Sequence, residues 1–534
     1  MTPVRNFRAL GMLSVLTALA AAPAPAAAQA PAVAQAAAAR RLSLDDALAI
    51  SDTVSDVVRI ARAGVSRAEG QQQKATSQFL PQIYGSLSYQ KTLASEYSGL
   101  STSTSTSPLC SNFAADTTVP LQQQVNVLNG YVGCSYGNPF AKLPFGQPNR
   151  YQYGLSLSQN LFTGGRLTAT SHAAAAGKRS ADFVLTQAQA QLILTVTQTY
   201  YDAALSDRLV EIAQASLAQA ETTLAQARLG RQVGSRPEYD VLRAQVGRDN
   251  ARPVVIQRLA DQAVAHTRLA QLLRLPPERA LELTTDLGDT SSAASARLAA
   301  LIAHPTDTST DARAPVLQAG ENVAAQEAGI TIAKSQWIPQ LTLSSAFGRV
   351  GYPANELPPA WNTMRDNWTI TGALNFPLFT GGSIAGDVTI AQANYREAEA
   401  QLRIARQAAE LDARDAAYRL MAARAAWEAS VGTTELAERA FAIALVRYQE
   451  GVSTQTELLE QRLQLEQARA NRAVAARDLQ VARVRMALIR DLPVSAANGG
   501  VLITQQTVNG SGVPQAASTA APAVTSGNPF GVTP

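Results

Sequence analysis

The chain is poor in the residues that chemistry usually needs. Its 534 residues include two Cys and three His. The histidines, His172, His266 and His304, lie far apart in sequence. A metal centre needs three or four such ligands together, so none is expected and no cofactor is implied. No G-x-S-x-G, H-E-x-x-H or C-x-x-C occurs, which argues against an enzyme. Charge is scarce as well: 16% of residues are charged and the net charge is +4. That excludes the basic stripe of a nucleic-acid binder. Beyond the N-terminus no run of about 18 apolar residues is present, which excludes a spanning helix. A β-barrel is then the remaining way to cross lipid with every backbone group paired.

The N-terminus does carry an apolar run, but a short one. Arg5 and Arg8 precede "ALGMLSVLTALAAA" and then the small residues "APAAAQA". This order predicts a secretory signal peptide over residues 1–28, cleaved after Ala28 or Ala30. No Cys lies near that site, so a lipid anchor on the mature N-terminus is not expected. Export puts the chain in an oxidising compartment, where Cys110 and Cys134 read as one disulfide closing a loop.

What is present is a duplication. "LFTGG" occurs at 161–165 and at 378–382, an offset of 217 (378 − 161). At the same offset Arg179 meets Arg396, Tyr201 meets Tyr418, Gly234 meets Gly451 and Pro276 meets Pro493. No gap is needed, as for two rods that must match in length. Upstream, "SQFLPQ" (77–82) resembles "SQWIPQ" (335–340) at an offset of 258 (335 − 77). The first copy therefore carries 41 extra residues (258 − 217). They fall in a Ser/Thr/Pro/Asn-rich stretch, 95–149, that reads as a long loop and holds both Cys. The expected organisation is a linker (29–41), a first repeat (42–280), a second linker (281–313), a second repeat (314–493) and a Gly/Ser/Ala/Pro-rich tail (494–534) that reads as disordered.

Each repeat has the same grammar. A helix (43–78 or 314–336) stops at Pro81 or Pro339, because Pro cannot continue it. Two strands of roughly ten residues follow. In "YQYGLSLSQNLF" Tyr151, Tyr153, Leu155 and Leu157 share one face; in "NWTITGALNFPLF" Trp368, Ile370, Leu374 and Phe376 share one. Aromatic residues (Tyr151, Phe162, Trp368, Phe376, Phe379) gather near the strand ends, as in an interfacial girdle. Four strands are too few for a soluble core and too few to close a barrel, so copies of the chain must share one. At LFTGG, Gly164, Gly165, Gly381 and Gly382 let the chain swing from strand to helix.

Then come the long helices, 166–230 and 383–450, free of Pro and able to run roughly 95–100 Å at 1.5 Å per residue. Each folds back through a turn, at Gly234 or Gly451, into a helix that ends at Pro276 or Pro493. Ser235 with Glu238, and Thr454 with Glu457, have capping-box spacing. Acids in these first turns (Glu238, Asp240, Glu457, Glu460) complement the helix dipole and need no further role.

The two helix-to-strand motifs, the two LFTGG junctions and the turn "RYQEGVSTQTELLEQR" resemble the TolC family of outer-membrane channel proteins, from about residue 42 to 493. The resemblance implies a mainly α chain with membrane β: a homotrimer sharing a twelve-stranded outer-membrane barrel on a periplasmic α-helical barrel. It implies a passive exit duct for efflux or type I secretion, in contact with outer-membrane lipid. Its partners would be a periplasmic adaptor protein and an inner-membrane pump of the RND or ABC type. It implies adaptor docking at the turns (Gly234, Ser235, Gly451, Ser453, Thr454). It also implies a gate formed by Tyr448, Tyr239, Asp240, Glu457 and Glu460. The family's gating Arg, two residues after the turn Gly, is Ser453 here. The rival reading is a helical structural protein that transports nothing.

Overall fold

A computed structural model describes residues 40–94, 118–135, 148–276, 281–288, 309–353 and 357–494. The expected signal peptide, the tail and Cys110 lie outside the described residues. So does the side chain of Cys134, and with it the disulfide.

The elements in chain order are β1 (Arg40–Leu42), α1 (Leu44–Val54), α2 (Asp56–Ser77), β2 (Gln82–Lys91), α3 (Leu121–Ser135) and β3 (Asn149–Phe162). Next are α4 (Arg166–Gln232), α5 (Glu238–Leu272) and β4 (Leu281–Leu283). The second half holds α6 (Ala314–Lys334), β5 (Gln340–Gly351), β6 (Arg365–Asn375), α7 (Ser383–Gln449) and α8 (Gln455–Ala487). The chain is mainly helical. Among the described residues no helix is long and apolar enough to cross a membrane.

Three expectations need correction. The helix expected over 43–78 is two helices, broken at Ser55, whose side chain caps α2 by accepting from Val58 N. The stretch 95–149 is not all loop, since α3 lies in it. The second linker is not plain either: β4 pairs in parallel with β1, Leu42 opposite Leu283.

α4 and α7 are each 67 residues long, about 100 Å. Towards the turns, α5 flanks α4 and α8 flanks α7; towards the strands, α2 and α6 flank α4, and α6 also packs on α7. A short returning helix and a short pre-strand helix thus cover each long one in tandem. Ala is the commonest buried residue along these helices, so backbones approach closely. The large side chains gather instead at mid-height, where α1, β1, β4 and the ends of α5 and α8 meet α4. Leu42, Leu44, Val58, Val196, Tyr200, Leu269, Leu273, Val484 and Leu492 form this cluster. Tyr200 Oη donates to Leu42 O at 2.9 Å and accepts from Thr285 N at 3.1 Å, and burial pushes its pKa up. Each large apolar side chain there contributes about 1.5–3 kcal/mol. An Ala buries far less, so this waist holds the single chain together.

The waist also holds a buried ion pair. Arg313 is fully buried, 0% exposed. It donates to Ala409 O at 2.6 Å and to Asp412 Oδ2 at 2.9 Å, while Arg485 reaches Asp412 Oδ1 at 3.1 Å. Arg313 pins the start of α6 onto α7. At the offset of 258 its counterpart is Ser55, the N-cap of α2.

The four long strands form one antiparallel sheet, β2-β3-β5-β6. The central pairing, β3 with β5, joins the two repeats. The register places Tyr89, Leu87 and Ile83 opposite Tyr151, Tyr153 and Leu157. It then sets Leu155 opposite Phe347, and Phe347 opposite Trp368. One face is therefore largely apolar, with Ser345 among its residues. The other carries Ser86, Ser88, Gln152, Ser156, Ser344 and Thr371. Arg349 interrupts the apolar face near its outer end, where it pairs with Asp366 and lies 4.7 Å from the Trp361 ring.

Candidate functional site

Two places in this frame hold the residues singled out above: the strand–helix junctions and the hairpin turns.

At the first junction β3 ends with a bulge between Asn160 and Phe162. Gly164 and Gly165 then take φ of 61° and 86°, and α4 begins at Arg166. A left-handed pair is open to Gly at little cost and closed to most side chains. Gly381 and Gly382 repeat it, with φ of 59° and 87°. The surroundings differ. A Cβ on Gly164 would lie 2.7 Å from Ile338 Cβ, just before Pro339, whereas one on Gly381 would meet nothing within 4 Å. The second strand also stops earlier than expected. β6 ends at Asn375 because Pro377, which replaces Asn160 of the first copy, has no N–H to donate. Leu378 and Phe379 are consequently 89% and 91% exposed. On the other edge, between α2 and Pro81, Phe79 and Leu80 are exposed too.

The two turns have the same backbone. Ser235 N and Arg236 N donate to Gly230 O at 2.8 and 3.2 Å; Val452 N and Ser453 N donate to Arg447 O at 2.9 and 3.2 Å. Gly234 and Gly451 sit at φ of 76° and 72°. The caps of the returning helices differ. Thr454 accepts from Glu457 N at 3.4 Å, as expected. Ser235 does not cap α5: its hydroxyl donates back to Gly230 O at 3.1 Å, and Pro237 takes the N-cap place with no side-chain bond. Pro237 stands where Thr454 stands in the second copy, and Ser235 lies two residues before that cap place.

Glu238 and Asp240 sit in the first turn of α5 and Glu457 in that of α8, whereas Glu460, expected there, lies in the second turn because α8 begins at Gln455. Glu457 lies 3.9 Å from Arg447, and Glu238 lies 3.2 Å from Arg231. Asp240 is half-buried and Glu460 exposed. Exposed pairs of this kind add about 0–1 kcal/mol, so they do not hold the turns.

Tyr448 does more. It is 2% exposed and packs with Ala444 and Leu458. The Arg236 guanidinium lies 3.9 Å from its ring centroid and donates to its main-chain oxygen at 3.1 Å. Tyr448 thus reaches the neighbouring hairpin through its ring face and carbonyl. The phenol oxygen is buried without a partner among the described residues. Burial pushes its pKa up, Arg236 pulls it down and Asp240 pushes it up. Arg236 stands two residues after Gly234, so the cation missing at Ser453 is supplied by the other turn. Gly230 makes room for it, since a Cβ there would lie 2.8 Å from Arg236 Cδ. Tyr239, exposed, receives Arg243 at 3.4 Å from the same hairpin. Sequence reading missed Arg236 and Gly230. The signal was available in the pattern G-x-x-x-G-x-R, but only the contact gives it meaning.

Comparison with known proteins agrees with this architecture. The sequence profile described as "Outer membrane efflux protein" matches residues 135–273 and 309–489, which hold both long hairpins. The chain belongs to that family. Among curated relatives, the solvent efflux pump outer membrane protein SrpC of Pseudomonas putida is 26% identical over 251 residues, 46% of this chain and 50% of SrpC. Nodulation protein T of Rhizobium leguminosarum bv. viciae is 24% identical over 339 residues, 62% of this chain and 67% of that protein. The chain thus spans about half the length of SrpC in its match. Solved structures share the fold more completely. VceC of Vibrio cholerae covers 83% of this chain at a TM-score of 0.62 and 19% identity, with 95% of VceC matched. The open state of the Neisseria gonorrhoeae MtrE channel covers 84% at a TM-score of 0.61 and 18% identity, with 89% of MtrE matched.

Proposed function

We propose that three copies of this chain form an outer-membrane exit duct that passively passes substrates from an inner-membrane pump and a periplasmic adaptor to the outside. One observation carries the reading. The sheet is four strands of 10–14 residues, largely apolar on one face, with β2 and β6 each unpaired on one edge among the described residues. Such edges demand partners, and three copies supply the twelve strands of a closed barrel. The junctions support the same reading. Inside the chain Ile338 covers Gly164; its repeat counterpart, Leu80, would cover Gly381 of the next copy. Delivery to the outer membrane by a cleaved signal peptide, without a lipid anchor, completes the proposal.

At the far end the turns are the adaptor-docking tips. The Arg236–Tyr448 contact ties the two hairpins of one copy together and narrows the entrance. Asp240, Glu457 and Glu460, repeated three times around a pore, favour cations. SrpC is by its name part of a solvent efflux pump, which favours small-molecule efflux over protein secretion.

The test is direct. Protein extracted from outer membranes is reconstituted in planar bilayers, and the gene is deleted from its host. Cation-selective channels and increased sensitivity to solvents or other small toxicants are expected. Soluble helical polymers without conductance would sink the reading.

A further inference from the structure

A cleft lies between the two hairpins, one to two helical turns from their tips. It encloses about 30 Å³ and is lined by Gln219 and Thr223 of α4, Arg243 of α5, Phe441 of α7, and Gln455 and Arg462 of α8. We propose that this cleft binds one small monatomic anion, of the chloride class, between the guanidinium groups of Arg243 and Arg462. The site needs only the fold, not the export reading.

Two arginines line one small cavity. Among the described residues neither Arg243 nor Arg462 makes an ion pair. Arg243 donates only to neutral acceptors, Thr456 Oγ1 and Tyr239 Oη. Glu466 attracts Arg462 through space, but it accepts from Ser216 Oγ at 2.8 Å and makes no ion pair with Arg462. Arg462 Nε is buried without a partner, and burial pushes the guanidinium below its ordinary pKa.

Gln455 supplies the third group. It is 7% exposed, and its Oε1 is buried with no partner. A half-turn about its last torsion presents the amide N–H₂ to the cavity instead. Three kinds of donor then converge on a space about the size of one water. A water placed there would bridge Arg462 Nε and Gln455 Oε1 but leave the two part-buried guanidinium groups without a directly bound countercharge. An anion satisfies the donors and offsets the charge, and it would join α5 to α8.

Bromide is the probe. Crystals of the full chain soaked in sodium bromide are expected to show an anomalous peak within hydrogen-bond distance of both guanidinium groups. A cleft holding only water, or nothing, overturns the proposal. In solution, replacing sodium gluconate by sodium chloride at equal ionic strength is expected to raise the melting temperature of the wild-type protein by about 1–3 °C. That rise is expected to vanish in Arg462→Gln and in Arg243→Gln. A rise that persists undiminished in both variants places the anion elsewhere and also overturns it.

Discussion

The two repeats share a backbone and differ in how it is completed. Their long helices are equal in length, their Gly pairs equal in φ, and their turns equal in hydrogen bonds. Yet the first junction is packed against Ile338 and the second faces open space. The first turn offers Arg236 and the second offers Tyr448 to receive it. α2 begins with a Ser cap, and α6 begins with a buried Arg pinned to Asp412. Duplication fixed the length of the rods; divergence decided which contacts close within a chain and which, in the proposed trimer, would be left for a partner.

The largest expected effect separates the two anchors at the waist. Asp412→Asn leaves Arg313 buried without its countercharge and should cost about 3–5 kcal/mol. Ser55→Ala, at the matching place, should cost only about 1 kcal/mol. Chemical denaturation of the two variants checks this, and equal losses would mean that the anchors are equivalent.

The junctions come next. Val at Gly164 or Gly381 forces a branched side chain into a left-handed conformation, at about 1–3 kcal/mol. Gly164→Val adds a clash with Ile338. Before assembly Gly381→Val should therefore be the milder of the two. After assembly both should block trimer formation, if the second junction is covered by another copy. Trimers that tolerate Gly381→Val but not Gly164→Val would leave the second junction uncovered.

The turns should show a smaller effect. A cation–π contact is worth about 0.5–2 kcal/mol, so Arg236→Ala should shift the open-to-closed ratio of single channels by about 2- to 30-fold. Gly230→Ala should act in the same direction but more weakly, because a flexible Arg can yield. It should also stabilise α4 by up to about 1 kcal/mol, so gating and melting temperature would move in opposite senses.

Tyr448→Phe gives the smallest change. The ring contact with Arg236 survives and an unpartnered buried hydroxyl disappears, so stability at neutral pH should hold or rise slightly. The Tyr448 pKa in the folded protein lies above the ordinary value of about 10. Its contribution is thus complete below about pH 10 and lost as pH rises through the higher folded value. Alkaline destabilisation should be weaker in the Phe variant by melting curves above pH 10.

Much of the fold was legible because duplication is legible. Two copies of LFTGG at a constant offset gave the repeat, and period-two alternation in "YQYGLSLSQNLF" gave the strand and its face. The helix break at Ser55, the β1–β4 pair and the early end of β6 at Pro377 were not, since each depends on tertiary placement or a single residue. At the turns, the spacing found the cap at Thr454 but not at Ser235, because the cap place of α5 is held by Pro237, which has no side-chain acceptor. The partner of Tyr448 was illegible: Arg236 lies 212 residues away, and nothing local joins them.

The central claim is that a second copy completes what the second repeat leaves open. A photo-reactive phenylalanine analogue at Leu80 tests it, with the captured peptide and the mass of the crosslinked species read by mass spectrometry. Capture of the segment around Gly381 from another copy, within a species of three chains, is the predicted result. Capture only within the same chain, from a monomer, would contradict it.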